Sequence, residues 1–179
     1  IMAPQLKLDP NECFVAGLIH DVGKLIIYKE IDDEKVIRLE QKAPCPSILK
    51  EEKLAIGTSH DQLGKMLLAK WMFPRSLVDA VGFHHTPGEE SEYQIYALVV
   101  YISNILCHMF VLRQQETGSN GQIECRASNG INGSNRTNGS NGNDRLDELE
   151  SMLYNSLIMK LSRKYSLQLN EKSVDYLLN

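Results

Sequence analysis

A chain of 179 residues, 42% of them hydrophobic, suggests one domain with its own core and room for an appendage. The net charge of −4 argues against a general nucleic-acid binder, which would carry a basic patch. No run reads as a membrane span, because the longest apolar stretch, Ile95 to Leu112, is interrupted by Ser103, Asn104 and His108.

The first helix signal is Asp9-Pro10-Asn11-Glu12, with Asp9 as cap and Pro10 at the first helical position. Phe14, Val15, Ala16, Leu18 and Ile19 then carry this helix into the core, and His20 and Asp21 extend it. Consecutive helical positions lie about 100° apart, so both side chains can approach one cavity. Gly23 follows, where a missing side chain lets another backbone come close. Asp32-Asp33-Glu34 opens an amphipathic helix through Gln41, and Pro44 and Pro46 break it. Ser47 caps the next helix, which carries Ile48, Leu49 and Leu54 and closes at Gly57.

Ser59-His60-Asp61-Gln62 has the form of a capping box, with Gln62 reaching back to Ser59. That helix runs through Leu63, Met66, Leu67 and Trp71, with His60 in its first turn. Pro74 marks a new start, and a helix from Arg75 carries Leu77, Val78 and Val81 to His84-His85. A helix C-terminus favours cations, either protonated imidazoles or a metal. Ser91 to Gln94 is another capping signature, before an apolar helix to about Arg113 that is apolar on most sides and therefore central. Asn104 and His108 lie four apart on one face of it.

Asn, Gly and Ser dominate residues 118–143, which read as a flexible insertion or linker between a helical domain over 1–117 and C-terminal helices over 144–179 that pack on the same domain. The Asn-x-Ser/Thr triplets there are accidents of a low-complexity tract. Leu146, Leu149, Leu153, Leu157 and Leu161 return to helical spacing, and Asn170-Glu171 begins a last short helix. No strand pattern competes, so the expected fold is all-α, a compact bundle of roughly seven or eight helices. Cys13, Cys45, Cys107 and Cys125 form no Cys-x-x-Cys pair and read as free thiols in a reducing cytoplasm. The N-terminus lacks the form of a signal peptide, and its start, Ile1-Met2, suggests a piece of a longer protein.

Four of the five histidines fall in three short motifs: His20-Asp21, His60-Asp61 and His84-His85. Imidazole and carboxylate together serve zinc, iron or manganese, and a metal makes an adjacent His-Asp pair tolerable in an apolar segment. The bland alternative for His20-Asp21 is a hydrogen-bonded pair joining two helices, and for His60 a place near a helix terminus. Asp61 reads as a first-turn acid, Lys24 as a solvated lysine at a helix end, Glu52 as a surface or supporting residue, and His108 as a core histidine.

Gly17-Leu18-Ile19-His20-Asp21-Val22-Gly23-Lys24 resembles the signature of the HD superfamily of metal-dependent phosphohydrolases. Glu52, Gly57, His60, Gly64, Leu67, Leu68, Trp71, Pro74 and His84-His85 extend the resemblance to its HDOD branch, a bacterial signalling subset, over about residues 10–112. The resemblance implies an HD-type helical bundle with His20, Asp21, His60, His84 and His85 around a divalent ion (manganese, iron, zinc, magnesium or nickel). It casts Asp21 and Lys24 as catalytic, Lys24 steadying a phosphate on a phosphoester or nucleotide ligand. It also implies signalling proteins as partners; the charge argues for no nucleic-acid polymer and the interrupted apolar run for no membrane.

Two departures from the active pattern stand out. Residues 1–19 lack the further histidine that active relatives carry, and Ser103-Asn104 stands where they carry an aspartate. No Gly-Tyr-Pro follows His85, which argues against cyclic-di-GMP hydrolysis. A metal-dependent phosphohydrolase and a catalytically silent signalling domain with a degenerate metal site both remain open from the sequence.

Overall fold

The computed structural model describes residues 6–40, 48–88, 93–117, 142–153 and 156–165. Its helices are α1 (Pro10–Ile19), α2 (Lys24–Glu30), α3 (Asp33–Glu40), α4 (Ile48–Ile56), α5 (His60–Lys70), α6 (Arg75–Phe83), α7 (Gln94–Thr117), α8 (Gly142–Leu153) and α9 (Ser156–Lys164). Among the described residues there is no strand, so the fold is all-α as the pattern indicates. The expected roles of Pro44, Pro46, Ser47, Ser91, the linker up to Asn141 and Asn170-Glu171 lie outside the described residues, as do Cys45 and Cys125.

The start of α1 follows its sequence signal: Asp9 accepts the Asn11 backbone N–H at 2.8 Å and Pro10 needs no partner. The helix ends at Ile19, however, so His20 is its cap and Asp21 lies in the turn beyond, not on the helix as expected. Backbone bonds from Val22 to Ile19 and from Lys24 to Asp21 close that turn, and α2, absent from the sequence expectations, leaves it. With no side chain, Gly23 lets this turn lie directly on α5. A Cβ on Gly23 would lie 1.9 Å from the His60 carbonyl oxygen and 2.8 Å from the Gly64 nitrogen. Phe14 and Leu18, expected in the core, are exposed at 70% and 72%. The face that α1 buries carries Ala16, which meets Leu77, Ala80 and Val100 of α6 and α7, while Phe14 and Leu18, four apart, share a face turned to the surface.

Helix α4 is closed by Gly57 at φ +77°, a conformation that favours glycine. It buries Ile48 and Glu52 and leaves Leu54 exposed. Ser59 is the N-cap of α5, but the expected capping box does not form. The Ser59 hydroxyl donates to Asp61 instead, Asp61 Oδ1 accepts the Gln62 backbone N–H at 2.8 Å, and Glu52 takes the N–H of His60 at 2.8 Å. Carboxylates have displaced the neutral cap. At the other end, bonds from Met72 to Ala69 and from Phe73 to Leu68 form a Schellman motif, with Met72 in the left-handed region at φ +56°.

Helix α6 is buried over Ser76 to Gly82, between α5 on one side and α1 and α7 on the other. A Cβ on Gly64 would lie 2.7 Å from Val81, so α5 and α6 approach closely there. Helix α7 is central as expected. Leu98, Tyr101, Ile102, Ile105, Leu106 and Met109 form one core with Leu149 and Leu153 of α8 and Ile158 of α9. The side chains of Leu146, Leu157 and Leu161 are outside the described set. One expectation is corrected: Gln94–Arg113, 20 residues, is long and apolar enough to cross a membrane by length and composition, with mean hydropathy 2.0 over its most apolar window. Ser103, Asn104 and His108 are too few to bring that mean below what a span requires. More than half of the stretch is buried, packed on α1, α6 and α8.

Two glycine substitutions are expected to have opposite signs. Gly23→Ala drives a methyl into the α5 backbone and should lower the unfolding free energy by at least about 2 kcal/mol. Gly17→Ala, with nothing within 4 Å of its added methyl, should raise it by about 0.5 kcal/mol. Urea unfolding midpoints of the two variants measure both.

Candidate metal centre

Three backbone features bring the sequence motifs together. The turn after α1 presents Asp21, the first turn of α5 presents His60, and the C-terminal end of α6 presents His84 and His85. Gly23 against His60 and Gly64 against Val81 set the spacing of those elements. His60 and His84 are sealed from solvent, and the Asp21 side chain keeps 35% exposure. The cluster therefore has a buried wall and an open side.

The ring tautomers follow from the acceptors. His84 Nδ1 lies 2.7 Å from the Val81 carbonyl, and His20 Nδ1 lies 2.7 Å from the Gly17 carbonyl. A carbonyl only accepts, so each Nδ1 carries the proton. His60 Nδ1 likewise donates to the carboxylate of Glu52, at 2.8 and 2.7 Å from its two oxygens. The Nε2 atoms of His20, His60 and His84 are then bare lone pairs.

Those lone pairs face one another. His60 Nε2 lies 3.3 Å from His84 Nε2 and 3.0 Å from His85 Nε2. Asp21 Oδ1 lies 3.2 Å from His60 Nε2 and 3.6 Å from His84 Nε2. Asp21, His60, His84 and His85 each offer one ligand atom, all within 4.8 Å of one another. Asp21 Oδ1 and His20 Nε2 are buried atoms without a hydrogen-bond partner. The His60 and His84 lone pairs and the Asp21 carboxylate oxygen, gathered this closely, repel, and a cation at their centre removes the repulsion. The donor set of imidazole nitrogens and one carboxylate oxygen suits a divalent transition metal.

Burial works against the charge of Asp21, but the imidazoles of His60, His84 and His20 and the Lys24 ammonium around it hold its carboxyl far below the usual range. Burial pushes His85 down, with His84 and His60 adding to it. Burial also pushes His84 down, against the pull of Asp21. Burial opposes charge on His60 as well, yet Asp21 and Glu52 together raise it.

Of the residues expected at the site, Asp21, His60, His84 and His85 converge. His20 stands beside them, its Nε2 3.5 Å from Asp21 Oδ2 and its ring edge-on to His84 at 5.1 Å between centroids. Lys24 Nζ lies 2.5 Å from Asp21 Oδ2. Asp61 is buried and serves the first turn of α5, as its position suggests. Glu52, expected at the surface or in a supporting place, is buried at 2% exposure behind His60. The available signal was its spacing: Ile48, Glu52 and Ile56 form one stripe, and an acid within an apolar stripe needs a buried partner.

The stability of the metal-free protein should depend on pH through this cluster. In the unfolded chain a histidine titrates near about 6.5. His84 and His85 are lower than that when folded, so their contribution is present above that value and lost as pH falls through it. His60 is raised and acts in the opposite direction, one group against two. Chelated protein is expected to melt at a lower temperature at about pH 5.5 than at about pH 7.5. Scanning calorimetry in chelator checks this, and an equal or higher melting point at the acid pH would contradict it.

Residues 1–87 match the model of the HDOD domain family. No curated protein and no solved structure gives a match to the chain.

Proposed function

Taking residues 1–87 as an HDOD domain, which belongs to the HD superfamily, we propose that this chain holds a divalent metal ion on Asp21, His60, His84 and His85 and hydrolyses a phosphoester in bacterial signal transduction. The supporting observation is the convergence of three imidazole nitrogens and one carboxylate oxygen within 4.8 Å. When bound, a divalent ion supplies Lewis acidity and an activated water at neutral pH.

The chain's own residues do the rest. His60 and His84 form a dry wall that strengthens electrostatic interactions inside the site. His20 and Lys24 border the open side, where Lys24 would exchange Asp21 Oδ2 for a phosphate oxygen of the substrate. A nucleotide or related phosphoester is the substrate class.

A second reading is favoured by the same ion pair. Lys24 already neutralises Asp21, the only carboxylate of the described cluster. Asn104, where active relatives carry an aspartate, leaves little charge for a working ion. In this reading the ion is structural and the domain acts by binding a signalling partner.

Purified without chelator or a nickel column, the protein is expected to carry about one transition-metal ion per chain, lost in His84→Ala/His85→Ala. Elemental analysis measures that. Phosphate release from a panel of nucleotides and phosphoesters with added manganese then separates the readings. Turnover abolished in Asp21→Asn supports hydrolysis. A metal-loaded protein inert across the panel supports the binding domain.

A further inference from the structure

Glu52 comes from α4, outside the three motifs, and its side chain is 2% exposed. Both of its oxygens lie on His60 Nδ1, at 2.8 and 2.7 Å, and Oε2 also accepts the His60 backbone N–H at 2.8 Å. A buried carboxylate is costly to keep, and a leucine would continue the Ile48 stripe without that cost. Holding a ring and a helix N-terminus with one side chain is a specific use of a charge that packing does not require.

Resting on the metal-centre reading, we infer that Glu52 is the positioning residue of this centre and that it couples ion occupancy to the docking of α4. The carboxylate fixes the His60 tautomer and aims Nε2 at the other ligand atoms. Its charge on the Nδ1–H also makes Nε2 a stronger donor to a cation. The backbone N–H that Glu52 accepts belongs to the first turn of α5, whose amides have no partner within the helix. Ring and helix start are thus held by the same two oxygens. Helix α4 in turn packs through Ile48 on Ile27 of α2, with Leu49, Ile56 and Leu63 around them. An ion that draws on His60 therefore tightens Glu52 and holds α4 against α2 and α5.

The probe is manganese, titrated into chelator-stripped full chain and followed by loss of the free-ion resonance signal. Glu52→Gln keeps the shape and an acceptor but removes the charge. It is expected to weaken manganese binding by about 10–100-fold while the chelated protein melts close to wild type. A Glu52 with a merely structural role would instead lower the melting point and leave manganese affinity per folded molecule unchanged, which overturns the inference. Amide hydrogen exchange gives an arm that needs no variant. In wild type, manganese should slow exchange across residues 48–56 as well as at the start of α5. Slowing confined to α5 and α6 overturns the coupling even if Glu52→Gln fails to fold. Wild type that binds neither manganese nor zinc overturns the metal-centre reading itself, a result distinct from either of these.

Discussion

The contact between Gly23 and the His60 carbonyl governs the site. It lets the turn after α1 lie directly on the first turn of α5, with no side chain between the two backbones. Asp21 and His60 are carried by those two turns, so the separation of their ligand atoms is a backbone distance more than a choice of rotamer. The second close approach, of the Val81 side chain onto Gly64, brings α5 and α6 together and hence His60 and His84. Two positions without a side chain thereby convert three separated motifs into one cluster.

Electrostatics then gives the cluster its character. Carbonyl and carboxylate acceptors behind the rings take the Nδ1 protons and leave the Nε2 lone pairs facing inward. Asp21 stays ionised despite its burial because imidazoles and Lys24 surround it. Pre-positioned lone pairs and a pre-ionised carboxylate need little rearrangement to receive a cation, which lowers the cost of binding one.

Much of this was legible in the sequence, and for local reasons. Asp9-Pro10, Gly57 and Pro74 act within a few residues of themselves, so the helix boundaries they mark follow from the pattern. The motif residues were also identifiable as residue types. The less legible features depend on what lies across the fold. Phe14 and Leu18 share the apolar spacing of Ala16, and only the position of α6 decides which face is buried. The Ser59 capping box is a sound local motif, overridden because carboxylates from Asp61 and from distant Glu52 bind the same amides more strongly. The turn after α1 lies against the His60 backbone at Gly23, a contact that no window of residues 9–24 contains.

Helix α7 serves two cores at once. Val100 meets Ala16, Leu77 and Ala80, while Leu98, Ile102 and Met109 meet α8 and α9. The segment that matches the HDOD family ends at residue 87, before this helix begins. The matched segment is therefore shorter than the set of helices that pack together. A chain cut at that boundary would keep every ligand of the candidate centre and strip the apolar wall behind α1 and α6, so the histidines would be present without the frame that aligns them.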